Sequence, residues 1–290
     1  MESNKSLARW AGLLYVLASS LAPFAYLYVP SRLIVEGDAL ATADRVRASE
    51  GLLRAAIYAE LSGVTLLIFA GLALYELFKR VDQKTSALMA AMILISVPIS
   101  YVNTLFNIAP LVLLKDSAIA PVLDPGQVTF FLRLHNYGLV VGQILWGLWL
   151  FPIGVLVMRS GFIPRWLAYP LFAAGAGYVL NSLGTLLLPP SLRWITEHLQ
   201  ILGVGEVPFF SVYLLIWGVR GHTVDRFAAV LVLLLITIGL ASLVLLFREV
   251  IDATQYAGFK LAGLVVLIGL VMRWRRSEPR HDLTIFPPTT

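Results

Sequence analysis

A chain of 290 residues could make one or two soluble domains by length alone, but 59% of it is hydrophobic and only 13% is charged, about half the charge usual for a soluble domain. At a mean hydropathy of +0.82 a soluble fold is excluded, because a folded surface shrinks too slowly with size to hide that much apolar side chain. The net charge of +5 is dispersed in short loops between apolar runs, which argues against nucleic acid as a partner and for anchors at a membrane face. The lack of cysteine excludes disulfides, thiol chemistry, thiolate metal sites and a lipoprotein anchor.

In chain order, Lys5 and Arg9 stand before the apolar run from Trp10 to Val29, which gives a first span near 9–29. That run is longer than a signal-peptide core and further runs follow, so it reads as an uncleaved spanning helix. The loop from Pro30 to Gly51 predicts a short amphipathic helix. Asp38 is its N-cap, Ala39, Leu40, Ala43, Val46 and Arg47 follow, and Ser49 is placed to cap the second span. Further runs of spanning length, about 20 residues at about 1.5 Å each, cover 55–78, 85–114, 129–158, 163–189, 201–219, 227–247 and 257–274. The third and fourth of the eight runs are overlong. Pro98 and Pro110 can kink the third, and the fourth begins in the interface around Arg133 and His135. The polar tail from Arg275 ends in Pro287-Pro288 and reads as disordered. The expected fold is therefore all-α, a polytopic transmembrane bundle of about eight spans. It divides into a six-helix core (1–226), an added hairpin (227–274) and a cytoplasmic tail (275–290).

Orientation follows from the basic residues. With the N-terminus inside, cytoplasmic segments hold 13 Lys and Arg and outer segments hold 7, while Arg133 and Lys260 sit at outer helix ends. This bias predicts both termini on the cytoplasmic side of a cell's inner (plasma) membrane. Trp10, Trp166, Trp217 and Trp274 then fall at inner borders, and Tyr28, Trp194 and Tyr256 at outer ones.

Charged groups inside a span cost about 2.5–3.5 kcal/mol each, so each needs a reason. Glu60 and Glu206 lie a few residues from the outer ends of the second and sixth spans, and Arg133, His135 and Asn136 at the outer end of the fourth. Ser96, Ser100, Asn103 and Asn107 form one stripe on the third span; Tyr178, Asn181 and Thr185 share a face of the fifth. By counting residues, Glu60, Asn107, His135, Asn181 and Glu206 all come out roughly 6–12 Å below the outer boundary. Together with Asn103 and Arg133 they predict a polar pocket open to the outer face. The carboxylates read in two ways: as structural partners of Arg133, Arg54 or His135, or as a site for a small molecule, lipid or ion. Glu206 is expected within about 6 Å of Arg133 or His135, because a lone buried carboxylate is costly. Glycines at 142, 147, 175 and 177 read as close-packing surfaces.

Catalytic patterns are poor. The four histidines are scattered, and no His-Glu-x-x-His pair, Gly-x-Ser-x-Gly elbow or phosphate loop occurs. No metal or cofactor is expected. An intramembrane hydrolase using Glu206 and His135 as acid and base is the least favoured of three readings, behind ligand binding or transport and a non-catalytic scaffold or sensor.

The run Leu134-His135-Asn136-Tyr137-Gly138, then Gly142-Gln143, Gly147-Leu148-Trp149-Leu150 and Arg159-Ser160-Gly161-Phe162-Ile163-Pro164-Arg165 resembles a bacterial family known as domain of unknown function 4386. Arg9-Trp10-Ala11-Gly12-Leu13-Leu14-Tyr15, the loop from Val29 to Leu52, and Gly205-Glu206 before Trp217-Gly218-Val219 are also similar to it. The likeness covers about 8–220. It implies a six-helix integral membrane module and no particular activity. The spans at 227–247 and 257–274 depart from that module.

Overall fold

The computed structural model describes residues 2–115, 124–192 and 206–219. Among them helix is the only regular structure. Helix α1 (Glu2–Pro23) continues through a π-helical turn (Phe24–Tyr28) into α2 (Val29–Leu33). Then come α3 (Ala39–Ala48), α4 (Glu50–Phe78), α5 (Gln83–Lys115), α6 (Pro125–Ser160) and α7 (Ala168–Leu187). A second π-helical turn (Glu206–Ser211) leads into α8 (Val212–Trp217).

Five helices are long and apolar enough to cross a membrane: Lys5–Leu33, Glu50–Phe78, Gln83–Lys115, Pro125–Ser160 and Arg165–Leu187. They correspond to the first five expected runs. At 36 residues, α6 is about 54 Å long and overshoots a hydrocarbon core of about 30 Å. Pro98 and Pro110 both lie inside α5, which stays one continuous helix. The sixth run is described only from Glu206; residues 227–290, with the expected hairpin and tail, lie outside the described residues, as do Trp194 and Tyr256.

Helix α6 is central. It packs against α5 on one side and α7 on the other, and α3 crosses its first turns; α1 lies between α4 and α8. One end of the bundle, here the N-terminal end, gathers the start of α1, the turns after α4 and α6, and Gly218. The other, the α3 end, holds α2, α3 and the start of α6.

Local chemistry explains the boundaries. Asp38 starts α3 as expected, its Oδ1 accepting from Ala41 N at 2.8 Å. Ser49 does sit at the N-cap of α4, but its side chain makes no capping bond; its carbonyl accepts from Leu52 N at 2.9 Å instead. In α3 the buried positions are Thr42, Ala43 and Val46, and the last two join Val29, Leu33, Leu53, Val128 and Leu132 in an apolar cluster. Leu40 points away from it and is exposed. Asp124 caps α6 through Gly126 N at 2.9 Å, and Gly161 ends it in the left-handed region at φ 68°, which glycine adopts without a Cβ penalty.

Glycines set two of the closest crossings. A Cβ on Gly147 would run into the carbonyl of Gly175, and one on Gly175 into the carbonyl of Gly147, so α6 and α7 meet backbone to backbone. Gly12 holds α1 against the backbone of α8 in the same way. Gly142 differs from the expectation. A Cβ there would only touch the Trp146 ring at 3.7 Å, an ordinary contact.

A candidate polar seam along α6

The expected pocket residues fall at separate levels along α6. Nearest the α3 end, Nε2 of His135 lies 3.1 Å from both Oε1 and Oε2 of Glu60, with side chains only 2% and 0% exposed. This pairs α6 with α4 and makes His135 the partner of Glu60, one of the structural options above. Asn103 of α5 joins them by donating from Nδ2 to the His135 carbonyl at 3.1 Å. It can do so because Gly138 leaves room: a Cβ on Gly138 would occupy the place of the Asn103 side-chain amide. In Leu134-His135-Asn136-Tyr137-Gly138 the histidine thus supplies the bond and the glycine the space.

Above this pair, Asn107 and Asn136 line a narrow cleft whose other walls are apolar, including Val29, Leu33, Leu53 and Leu132; it leaves room for about one water molecule. Arg133 is outside the site. It is exposed and pairs with Glu36 of the α2–α3 loop at 3.0 Å, because two residues on a helix turn by about 200°, which puts Arg133 on the face away from His135.

Glu206 is placed where residue counting did not put it. The Tyr15 hydroxyl of α1 donates to its Oε1, and Trp149 of α6 donates from Nε1 to the Tyr15 hydroxyl at 3.2 Å. Tyr178 of α7 lies against the same carboxyl group. Trp149 is fourteen residues from His135 on one helix, about 21 Å along the axis. Glu206 is therefore not beside Arg133 or His135, and the expected acid–base pair with His135 is too far apart to share a reacting atom. The reason is geometric. Helix α8 ends at Trp217 against the N-terminal end of the bundle, and counting back to Glu206 climbs only about 16 Å, to the middle of the bundle.

Between the two levels, Asn181 of α7 donates from Nδ2 to Oε1 of Gln143 at 2.7 Å. Tyr26, in the first π-helical turn, stacks on Trp146 at 6.2 Å between centroids and lies 6.3 Å from the His135 ring. Trp146 also meets Tyr178 edge-on at 6.4 Å. The serines of the α5 stripe turn inward on their own helix: Ser96 bonds the Ile93 carbonyl and Ser100 that of Ser96, a pattern that satisfies a hydroxyl in an apolar setting. Within that stripe it is Asn103 that bridges helices.

Sequence reasoning missed Tyr15, Tyr26, Trp146 and Trp149 as site residues. A signal existed. His135, Gly142, Trp146 and Trp149 recur at i, i+7, i+11 and i+14, a single stripe, and Tyr15 puts a hydroxyl at the middle of a span, where it needs a partner. Among the described residues no group of three or more His, Asp or Glu is arranged to hold a metal ion.

A family model described as "Domain of unknown function (DUF4386)" matches residues 10–218. The chain belongs to this family. The DUF4386 match runs from α1 to Gly218, takes in every seam residue from Tyr15 to Glu206, and ends before 227–274. A curated relative from Archaeoglobus fulgidus, described as an uncharacterized protein, is 29% identical over 120 residues, covering 41% of this chain. The chain spans 60% of that relative's length. No solved structure matches the chain.

Proposed function

We propose that this DUF4386 protein is an eight-span plasma-membrane protein, N-in and C-in, that binds a small molecule, lipid or ion at the α3 end of its bundle. In this reading residues 1–226 form the core, 227–274 an added hairpin that docks on it, and 275–290 a cytoplasmic tail. The observation that carries it is the buried Glu60–His135 pair, next to a cleft lined by Asn136, the neighbour of His135, and by Ala56, one turn from Glu60. An ionisable pair inside a span is a functional candidate by default, and the cleft gives a ligand a place beside it. Asn103 supports the pair, whereas Asn181 and Glu206 belong to deeper levels and Arg133 to the rim.

Ligand-dependent thermal stability of the purified protein tests this, with monovalent cations, primary amines and phospholipids as probes. A ligand at about 100 times its Kd stabilises by about 2.7 kcal/mol. A shift that Glu60→Gln and Asn107→Leu both abolish supports the site. No shift with any class, or one indifferent to both substitutions, overturns it. Single cysteines at Ala39, Ser117 and Gln255 should label from outside with an impermeant thiol reagent, and those at Gln83, Gly161 and Thr223 should not; the chain has no cysteine of its own to interfere.

The narrowness of the cleft favours a second reading, a membrane scaffold or sensor partner whose polar groups only lock helices together. That reading expects Glu60→Gln to lower stability with no change in any ligand response.

A further inference from the structure

The seam holds a second buried carboxyl group that the cleft reading does not use. Glu206 is 6% exposed, and the groups that bond it among the described residues, Tyr15, Tyr178 and Trp149, are all neutral. The polarity of this cage is set. The Trp149 N–H can only donate, so the Tyr15 oxygen accepts from it and turns its own proton toward the Glu206 carboxylate. Arg9, on the same helix as Tyr15, reaches instead to the Ile216 carbonyl near the far end of α8. A carboxylate held by neutral donors in the middle of a membrane bundle keeps its charge at a cost that one proton removes.

Two further observations connect this carboxyl group to the α3 end. Asn103 and Asn181 are 5% and 0% exposed, and the Oδ1 of each has no hydrogen-bond partner among the described residues. Buried polar atoms of this kind ordinarily bond ordered water. Asn103, bonded at His135, and Asn181, bonded at Gln143, mark successive levels along α6 between the cleft and Glu206. Moreover, the π-helical turns at Phe24–Tyr28 and Glu206–Ser211 carry Tyr26 and Glu206 themselves. Such turns interrupt the regular backbone bonding and recur at functional sites.

We infer that Glu206 is a proton-binding site reached from the α3 end through a hydrated file past Asn103 and Asn181. In the step a hydronium ion gives one proton to a Glu206 carboxylate oxygen and leaves a water molecule, and no bond of the protein breaks. Glu206 itself is not among the residues that line the cleft.

Infrared difference spectroscopy on the full-length protein in lipid nanodiscs tests it. Acidification should raise a protonated-carboxyl C=O band that Glu206→Gln abolishes and Glu60→Gln leaves in place. Glu206→Asp, which keeps a carboxyl group, should shift the band rather than remove it and guards against a misfolded Gln variant. In D2O the band should shift by deuterium exchange, and Asn181→Leu should slow that exchange roughly tenfold, the effect of losing about one hydrogen-bonding step. A band unchanged by Glu206→Gln overturns the site. Exchange unchanged by Asn181→Leu overturns the route.

Discussion

Nε2 of His135 stands 3.1 Å from each carboxylate oxygen of Glu60, and the two side chains are almost wholly buried. Removing one partner of a buried pair strands the other, at about 3–5 kcal/mol, whereas replacing both with apolar groups is often nearly neutral. His135→Leu should therefore destabilise strongly, and His135→Leu with Glu60→Leu should cost much less than the sum of the single changes. Arg133→Met, which touches only the exposed ion pair with Glu36, should cost less than about 1 kcal/mol. Equilibrium unfolding in detergent measures all four. Additive losses at His135 and Glu60 would show that the pair is not coupled.

The next prediction separates space from chemistry at the α5–α6 crossing. A Cβ at Gly138 would overlap the Asn103 side-chain amide, so Gly138→Ala should cost about 1–3 kcal/mol through overpacking. Truncating the obstacle with Asn103→Ala should recover most of that loss. If the double variant is no more stable than Gly138→Ala alone, something other than Asn103 makes the position intolerant.

These two crossings also mark how far the residues alone could be read. Helix existence was legible because an apolar run of about 20 residues has few alternatives in lipid, and Asp38 was legible because a cap needs only local sequence. The partnership of Glu60 with His135 was open as one option among three, since which charge meets which depends on helix rotation as well as depth. Glu206 was misplaced for a simpler reason. Its height was counted from the outer end of an assumed span, whereas the position of α8 is set at its other end, where Gly12 and Gly218 bring its backbone against α1. The aromatic members of the seam were harder to read, because a Tyr or Trp inside a span is mostly apolar surface and its one polar atom matters only once its partner is known.

Outside the membrane, Asp82 gives a pH-dependent prediction. Its carboxylate accepts from the Thr85 backbone N–H at 3.1 Å, from the Thr85 hydroxyl at 2.8 Å and from Arg159 at 2.6 Å. The Thr85 backbone bond first, then the hydroxyl, hold its pKa below the ordinary 3.8, and the Arg159 charge adds to them. A group depressed in the folded state contributes stability above its unfolded value and loses it as pH falls through the folded value. The difference in melting temperature between the protein and Asp82→Asn should thus be constant at neutral pH and close below about pH 3.8. A gap that persists unchanged into strong acid would mean that the charge on Asp82 is not what stabilises the turn.

The last prediction concerns the backbone contact between α6 and α7. Gly147 and Gly175 each face the other's carbonyl oxygen, and a carbonyl, unlike the tip of a side chain, cannot turn aside without moving its helix. Gly147→Ala should therefore cost about 1–3 kcal/mol, and trimming the nearby Val179 to Ala should recover little of it. Moving the helices apart should also loosen the levels on either side, where Trp146 meets Tyr178 and Gln143 meets Asn181. Gly142→Ala is the internal control, on the same helix and also buried. Its new methyl group would meet the Trp146 ring at an ordinary distance, and alanine is the better helix former by about 1 kcal/mol, so this change should be neutral or stabilising. Unfolding midpoints of the two variants decide the matter: equal costs at 142 and 147 would mean that α6 and α7 are not in backbone contact.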